Sequence, residues 1–244
     1  MAITFSGPRH FFRFSLIGRL LFKEPHIKTV LDAGSGDGSM SVMLAGKGLY
    51  VYAVDNSSMR CEFLKSRLAD AHCEDKVKII CSPLQEAVLE PGFFDAIICG
   101  EVLEHIENDT GILSKFHDSL KKNGSLILSV PLEGKGRDEW DDFSGHLRLY
   151  NFQELKQKLC GTGFVIERVY SWGYPFTKIF HRFVFLKWAR TFKKEEEIIN
   201  SKDMVTSVGK SRFVSVLIGL LFFVDLVFTK PDHGIGVIIK ARKV

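Results

Sequence analysis

A glycine-rich turn between a short apolar strand and a helix is the feature that most constrains the fold. Asp32 precedes this turn, and Gly34 and Gly36 allow backbone N–H groups to approach a ligand closely. The glycines are not followed by the lysine of a phosphate-binding loop, which argues against a nucleotide triphosphatase. Asp55 ends the next apolar run about twenty residues downstream, where a carboxylate can accept both hydroxyls of a ribose. The pattern therefore predicts a site for a ribose-bearing ligand with a cationic group near Asp32.

Strand-like and helix-like segments alternate through the middle of the chain. Such an alternation predicts βαβ units and a parallel sheet covered by helices on both faces, which is the α/β class. Ser57 and Asn151 are predicted N-caps, and Asn123 with Gly124 is expected to end the helix before the fifth strand. The predicted strands are 29–33, 49–55, 76–81, 94–100, 125–131, 164–170 and 235–241, and the predicted helices are 40–47, 58–69, 110–121 and 152–160.

Four motifs occur in order along this pattern. They are VLDAGSGDGSMS at 30–41, VYAVDNSSM at 51–59, FFDAIICGEVLEHI at 93–106 and LKKNGSLILSVP at 120–131. Together they resemble the class I S-adenosylmethionine-dependent methyltransferases, in particular the group with the ubiquinone and menaquinone biosynthesis methyltransferases. The resemblance covers about residues 25–170, and 234–243 resembles the last strand of that fold. It implies a Rossmann-like, doubly wound sheet of seven strands with an antiparallel last strand, and S-adenosylmethionine as the cofactor.

The resemblance also assigns cofactor contacts. Relatives often have Gly-Asp-Ala after the third strand, with the Asp reading the adenine, whereas this chain has Ser82, Pro83 and Leu84 there. The resemblance implies that the Leu84 backbone or Gln85 replaces that contact. The implied contacts are Gly34, Ser35, Gly36 and Asp32 for the methionine moiety, Asp55 for the ribose, Asn56 and Met59 for the adenine, and Cys99, Gly100 and Glu101 for the sulfonium side.

Candidate residues for the acceptor side follow the fourth and fifth strands. Glu101, Glu104 and His105 are spaced so that one face of a short helix would carry all three, and His146 follows the fifth strand. His105 or His146 is the candidate general base, with Glu101 beside them, and a structural hydrogen-bonded histidine is the alternative.

A metal site is a rival interpretation of the same residues. The E-x-x-E-H pattern with a distant histidine resembles the metal site of small-RNA 2′-O-methyltransferases. The same pattern is widespread in metal-free quinone and sugar methyltransferases, so we predict no metal. RNA is disfavoured as substrate because the middle of the chain is acidic, and DNA is not expected as a partner.

Charge is distributed unevenly along the chain. The net charge is +4, yet residues 29–170 hold 15 Lys and Arg against 22 Asp and Glu. The two flanks are basic and contain 14 of the 21 phenylalanines. Basic groups beside apolar ones predict an anionic membrane surface as partner. Five cysteines without CxxC pairs argue against a disulfide framework or a structural zinc site, and the expected location is cytoplasmic, on the inner face of the membrane.

The basic flanks correspond to two appended segments. Residues 1–28 are predicted as an N-terminal helical segment, and 29–244 as the methyltransferase domain with a helical insertion at 173–232. The helix at 9–23 could lie in a membrane interface or cover the cofactor site. The apolar run 213–228 is too short to span a membrane and would put the last strand on the wrong side of it.

These observations lead to one main functional hypothesis. We expect an S-adenosylmethionine-dependent enzyme that O-methylates a lipophilic or lipid-linked small molecule, such as a quinone precursor or a polyprenyl-linked sugar, at the membrane surface. The first alternative is a soluble acceptor with the insertion as a lid or homodimer interface. The second alternative is a non-catalytic protein that either binds the cofactor or serves as a scaffold.

Overall fold

The computed structural model describes residues 7–185, 212–230 and 233–244 of the chain. A seven-stranded sheet occupies its centre, in the order β3-β2-β1-β4-β5-β7-β6. Strands β1 to β5 pair in parallel, and β7 is antiparallel to both β5 and β6, which confirms the predicted sheet and its antiparallel last strand. The strands are β1 Thr29–Ala33, β2 Tyr50–Asp55, β3 Val77–Cys81, β4 Phe94–Gly100, β5 Leu120–Pro131, β6 Phe164–Trp172 and β7 Gly236–Lys243.

Helices cover both faces of this sheet. The predicted N-caps are confirmed, since the side chains of Ser57 and Asn151 accept hydrogen bonds from the backbone of the turns they begin. The helices are α1 Pro8–Leu21, α2 Ser39–Gly46, α3 Ser58–Ala71, α4 Asp109–Ser119, α5 Glu139–Ser144, α6 Phe152–Gly161, α7 Phe176–Phe180 and α8 Arg212–Phe228. Short 3₁₀ turns lie at Glu74–Lys76, Leu103–His105 and Glu133–Lys135, and a π turn at His181–Phe185 follows α7.

The predicted role of Asn123 and Gly124 is wrong. Helix α4 already ends at Ser119, and β5 begins at the next residue. Asn123 has a φ of 60° and lies inside the strand, where the register between β4 and β5 shifts. The pair therefore accommodates an irregularity in β5 and does not terminate the helix.

Helix α1 is a core helix. Its side chains Phe12, Leu16, Leu20 and Leu21 are buried against the sheet, in a cluster that also holds Phe222 of α8. Of the two arrangements considered for this segment, the structure has the one in which the helix packs on the domain. The sequence pattern does not identify the buried side of α1, because apolar residues occur all around the helix. The apolar residues that interrupt its basic side are themselves buried.

The helical insertion packs on α1 and on the edge of the sheet. Helix α8 contacts α1, α7 and β6, and the polar stretch 193–203 lies outside the described residues. Within the described ranges, none of the helices combines the length and apolar character that crossing a bilayer requires. The division into a segment 1–28 and a domain 29–244 stays a prediction.

Candidate functional site

The glycine-rich turn lies at the carboxyl end of β1, at the point where the strand order reverses between β1 and β4. The backbone N–H groups of Gly34 and Ser35 donate to the carbonyl of Val54 at 2.8 and 2.9 Å, which fixes the turn against β2. Gly34 has a φ of 75°, and a Cβ there would overlap Cγ2 of Val102. The turn therefore requires glycine both for its conformation and for its close approach to Val102 in the loop after β4.

Asp55 connects this turn to the start of α3. One carboxylate oxygen accepts the N–H of Gly36 at 2.8 Å, and the other accepts the N–H of Ser57 at 3.0 Å. These bonds cap loop N–H groups, yet a carboxylate has about four lone-pair positions, so acceptor capacity remains for a ribose. Asn56 and Met59 are exposed directly beside it, where the adenine contacts were predicted.

Asp32 is buried beneath the turn. Ser41 donates a hydrogen bond to its carboxylate at 2.6 Å. Burial raises the pKa of Asp32 to about 6, against the hydrogen bond from Ser41, and the carboxylates of Asp37 and Asp55 raise it further. A cationic ammonium is the group that would restore the ionised form at this place, which fits the methionine end of the cofactor.

The loop after β3 contains Leu84 and Gln85, the two residues implied as adenine contacts. The Leu84 side chain is buried in the core, so only its backbone could meet an adenine. Its carbonyl accepts the Lys115 ammonium at 3.0 Å, and the carbonyl of Gln85 accepts the same ammonium at 2.8 Å. By contrast, Gly100 at the end of β4 has open space where a Cβ would lie, and the side chain of Cys99 is fully buried.

Glu101 does not share a helix face with Glu104 and His105, so that prediction is wrong. Only Leu103–His105 is helical, and Glu101 stands before it with a φ of 57°, because the chain must leave β4 sharply. Its carboxylate forms an ion pair with Arg13 at 2.6 Å and accepts Ser129 Oγ at 2.6 Å. Burial would raise the pKa of Glu101, but Arg13 and Arg9 hold it below its usual range.

Glu104 is the most unusual residue of the site. Its side chain is fully buried, and within residues 7–185, 212–230 and 233–244 neither carboxyl oxygen has a hydrogen-bond partner. Burial, together with the charge of Glu101, raises the pKa of Glu104 well above its usual range. Burial therefore favours the neutral form of this carboxyl group, and a ligand could supply the missing hydrogen-bond partner.

His146 lies against Glu104 and is oriented by a residue that the sequence reasoning missed. Its Nδ1 donates to the carboxylate of Asp141 at 2.9 Å, and its Nε2 lies 3.9 Å from Glu104 Oε1. The exposed His105 donates from Nδ1 to the carbonyl of Gly145 at 3.1 Å, and the two imidazole rings are 5.1 Å apart. The D-D-x-x-x-H spacing of Asp141 to His146 was the only signal in the sequence.

Glu104, His105 and His146 are also the described residues that could hold a metal ion. One ligand atom from each lies within 4.8 Å of the others. One carboxylate and two imidazoles suit a divalent transition metal, and the Nδ1 bonds of both histidines leave Nε2 as the ligand atom. The structure therefore brings together three of the four residues of the rival metal interpretation, without Glu101.

The N-terminal helix and the insertion meet above this acceptor side. Arg9 contacts Nδ1 of His181 at 3.4 Å, and Nε2 of His181 contacts the Asp138 carboxylate at 2.7 Å. Asp138 caps α5, which carries Asp141. Two segments far apart in the sequence thus meet beside helix α5.

Comparisons with known proteins identify the family of the chain. Residues 9–169 match a family described as a methyltransferase domain. A mitochondrial ubiquinone biosynthesis O-methyltransferase from Schizosaccharomyces pombe is 36% identical over 104 residues, which cover 42% of this chain and 38% of that protein. A ubiquinone biosynthesis O-methyltransferase from Glaesserella parasuis is 30% identical over 106 residues, covering 42% of this chain and 45% of that protein. The chain thus spans less than half of the length of either relative.

Solved structures show the same fold at lower identity. Phosphoethanolamine N-methyltransferase 2 of Haemonchus contortus, in complex with S-adenosylmethionine, aligns with a TM-score of 0.65 and 21% identity, over 95% of this chain and 52% of that chain. The cyclase SpnF aligns with a TM-score of 0.67 and 16% identity, over 94% of this chain and 80% of that chain. The fold is therefore shared with an enzyme named for another reaction.

Proposed function

This chain belongs to the family of methyltransferase domains, the class I enzymes that use S-adenosylmethionine, and on that premise we propose that it methylates a hydroxyl oxygen of a lipophilic small molecule. A quinone precursor or a polyprenyl-linked sugar is the acceptor class, met at the inner, cytoplasmic face of a membrane. The similarity to ubiquinone O-methyltransferases supports the class of acceptor. The observation that carries O-methylation is the His146 imidazole, fixed by Asp141 beside the end of β4.

The residues of the cofactor site fit S-adenosylmethionine at each of its ends. Asp32 would hold the ammonium, Gly34 to Gly36 the methionine backbone, and Asp55 the ribose hydroxyls. The open space beside Gly100 would admit the sulfonium. The cofactor supplies a methyl group that is already activated by a positive sulfur, so the protein contributes mainly alignment of the acceptor oxygen.

His146 is the proposed general base. Because Asp141 accepts the Nδ1 proton, Nε2 of His146 is the ring nitrogen available to take the hydroxyl proton as the oxygen attacks the methyl group. Asp141 then stabilises the imidazolium that results, as a positioning residue. Glu104, whose pKa burial raises, can in its protonated form donate a hydrogen bond to a second oxygen of the acceptor. His105 and Glu101 line the same side.

A metal-assisted O-methylation is the second candidate. The Glu104 carboxyl group lies next to two imidazoles and has no hydrogen-bond partner among the described residues, which favours it. A divalent ion held by Glu104, His105 and His146 would bind the acceptor oxygen and lower its pKa, which would replace the base. In this case His146 Nε2 would be a ligand and could not accept a proton.

The decisive experiment is to identify the methyl acceptor directly. The purified chain is incubated with S-adenosylmethionine carrying a labelled methyl group and with either a lipid extract or an aqueous cell extract. We expect label in a product of the lipid extract, lost in Asp55→Ala and reduced in His146→Ala. Label only in the aqueous extract would contradict the lipophilic acceptor and support a soluble one, with the insertion as a lid or dimer interface. Failure of the wild type to bind the cofactor would leave a scaffold.

A further inference from the structure

The insertion presents an apolar surface to the outside. Helix α8 packs on α1 with one side, and its other side remains exposed even though its neighbours α1, α7 and β6 are in place. The segment before it contributes exposed Tyr174, Ile179 and Phe183, of which Phe183 is 70% exposed. We call this set the α7–α8 face: Tyr174, Ile179, Phe183, Leu217, Leu220, Leu221, Val224, Val227 and Phe228. Apolar groups of this size clustered on a surface indicate an interaction site.

Within the described residues of the insertion, the single acid is turned inward. Asp225 is the single Asp or Glu in residues 172–185 and 212–230, and its side chain is fully buried. Its two carboxylate oxygens accept the backbone N–H groups of Phe176 and Thr177 at 2.9 and 2.8 Å. Asp225 therefore joins α8 to α7, and it places no negative charge on the α7–α8 face.

Cations border the same face. Lys178 and Arg182 are exposed between the apolar residues that follow β6, and Lys230 is exposed just after α8. Arg19 of α1 lies over the ring of Phe223, 4.8 Å from its centroid. The face thus combines exposed apolar side chains with positive charge, which is the composition that binds an anionic lipid surface.

We propose that the α7–α8 face docks on an anionic phospholipid surface, an inference that rests on the proposed function because it supplies a route for a lipophilic acceptor. A second copy of the chain is a poorer occupant, since a two-fold contact would set the cations of one face against those of the other. The face is also connected to the acceptor side, because His181 next to α7 contacts Asp138 and Arg9.

The test is flotation of the full chain with vesicles of phosphatidylcholine alone, or with about one third phosphatidylglycerol, at roughly physiological salt. We expect binding to the anionic vesicles only. The variant Val227→Asp with Phe228→Asp should reduce the bound fraction roughly tenfold or more, and Lys178→Glu with Arg182→Glu should act similarly. The matched control is Val88→Asp, which changes an exposed valine far from α7 and α8 in the sequence and should bind as the wild type does.

Three results would overturn the proposal. The first is no binding to anionic vesicles, the second is equal binding to neutral ones, and the third is a dimer in sedimentation that Val227→Asp dissociates. Calorimetry with S-adenosylmethionine, on the same samples, separates this proposal from the proposed function. Cofactor binding without vesicle binding rejects only the docking face, whereas vesicle binding without cofactor binding by the wild type rejects the methyltransferase function and retains the face.

Discussion

Asp141 accepts the Nδ1 proton of His146 at 2.9 Å, and this single bond points the other ring nitrogen of His146 toward the buried carboxyl group of Glu104. Asp141 is itself fixed, because its second oxygen accepts the N–H of Asp138 in the capping box of α5. The orientation of the candidate base is therefore built into the start of a short helix and does not depend on the acceptor.

Removing this base should slow methyl transfer with little effect on cofactor binding. We expect His146→Ala to lower kcat by roughly 10²- to 10⁴-fold. Asp141→Asn should also lower kcat, because Asn cannot stabilise the imidazolium, but by a smaller factor since His146 is still present. The measurement is kcat and KM against pH, together with the Kd for S-adenosylmethionine. The exposed His233→Ala serves as the control. A parallel loss of cofactor affinity in Asp141→Asn would contradict a positioning role.

Substitution by alanine should have different effects on stability at two glycines of the candidate site. Gly34→Ala forces a side chain into a positive φ and against Val102, so we expect it to destabilise the fold by about 1–3 kcal/mol and to abolish cofactor binding. Gly100→Ala meets open space, so it should change the free energy of unfolding by less than about 0.5 kcal/mol but weaken cofactor binding. Urea unfolding and calorimetry measure both. Unchanged cofactor affinity in Gly100→Ala would remove Gly100 from the site.

Asp32 should make cofactor binding depend on pH. Its pKa is raised to about 6, so affinity for the cationic cofactor should increase as the pH rises through that value and the carboxylate ionises. The Asp32→Asn variant should bind the cofactor weakly at every pH. Calorimetric titration across this range tests the prediction, with the exposed Asp118→Asn as the control.

The same carboxylate should destabilise the free protein. A raised pKa means that the contribution of Asp32 to stability is present below its unfolded pKa of about 3.8 and is lost as the pH rises through about 6. At neutral pH, Asp32→Asn should therefore raise the free energy of unfolding by up to about 2–3 kcal/mol, provided that Ser41 keeps a hydrogen bond to the new side chain. A less stable variant would show that the carboxylate mainly holds the turn together.

Chelation distinguishes the two acceptor mechanisms. If His146 is the base, enzyme treated with a chelator should keep its activity, and added Mg²⁺ or Zn²⁺ should not raise it. Activity that is lost on chelation and restored by one of these ions would contradict the base and favour the metal. In that case Glu104→Gln should weaken binding of the metal ion and raise the ion concentration needed for half-maximal activity.

The sequence predicted those parts of the site that lie within one strand and the turn that follows it. Gly34, Gly36 and Asp55 can be identified from the chain because short-range backbone requirements and a fixed strand-to-strand spacing determine where they lie. Arg13 could not be identified in this way. Its partner Glu101 is far away in the chain, and only the packing of α1 on the sheet brings the two together.

The sequence by itself thus determined the α/β fold, the strands and the glycine-rich turn after β1, since periodicity and turn chemistry are local properties. Only the tertiary structure decided which side of α1 is buried, that Glu104 lies in the interior with no hydrogen-bond partner among the described residues, and that Asp225 faces inward. The reason is physical. Which charged group is buried, and which one it pairs with, depends on the segments that cover it, and these come from distant parts of the chain.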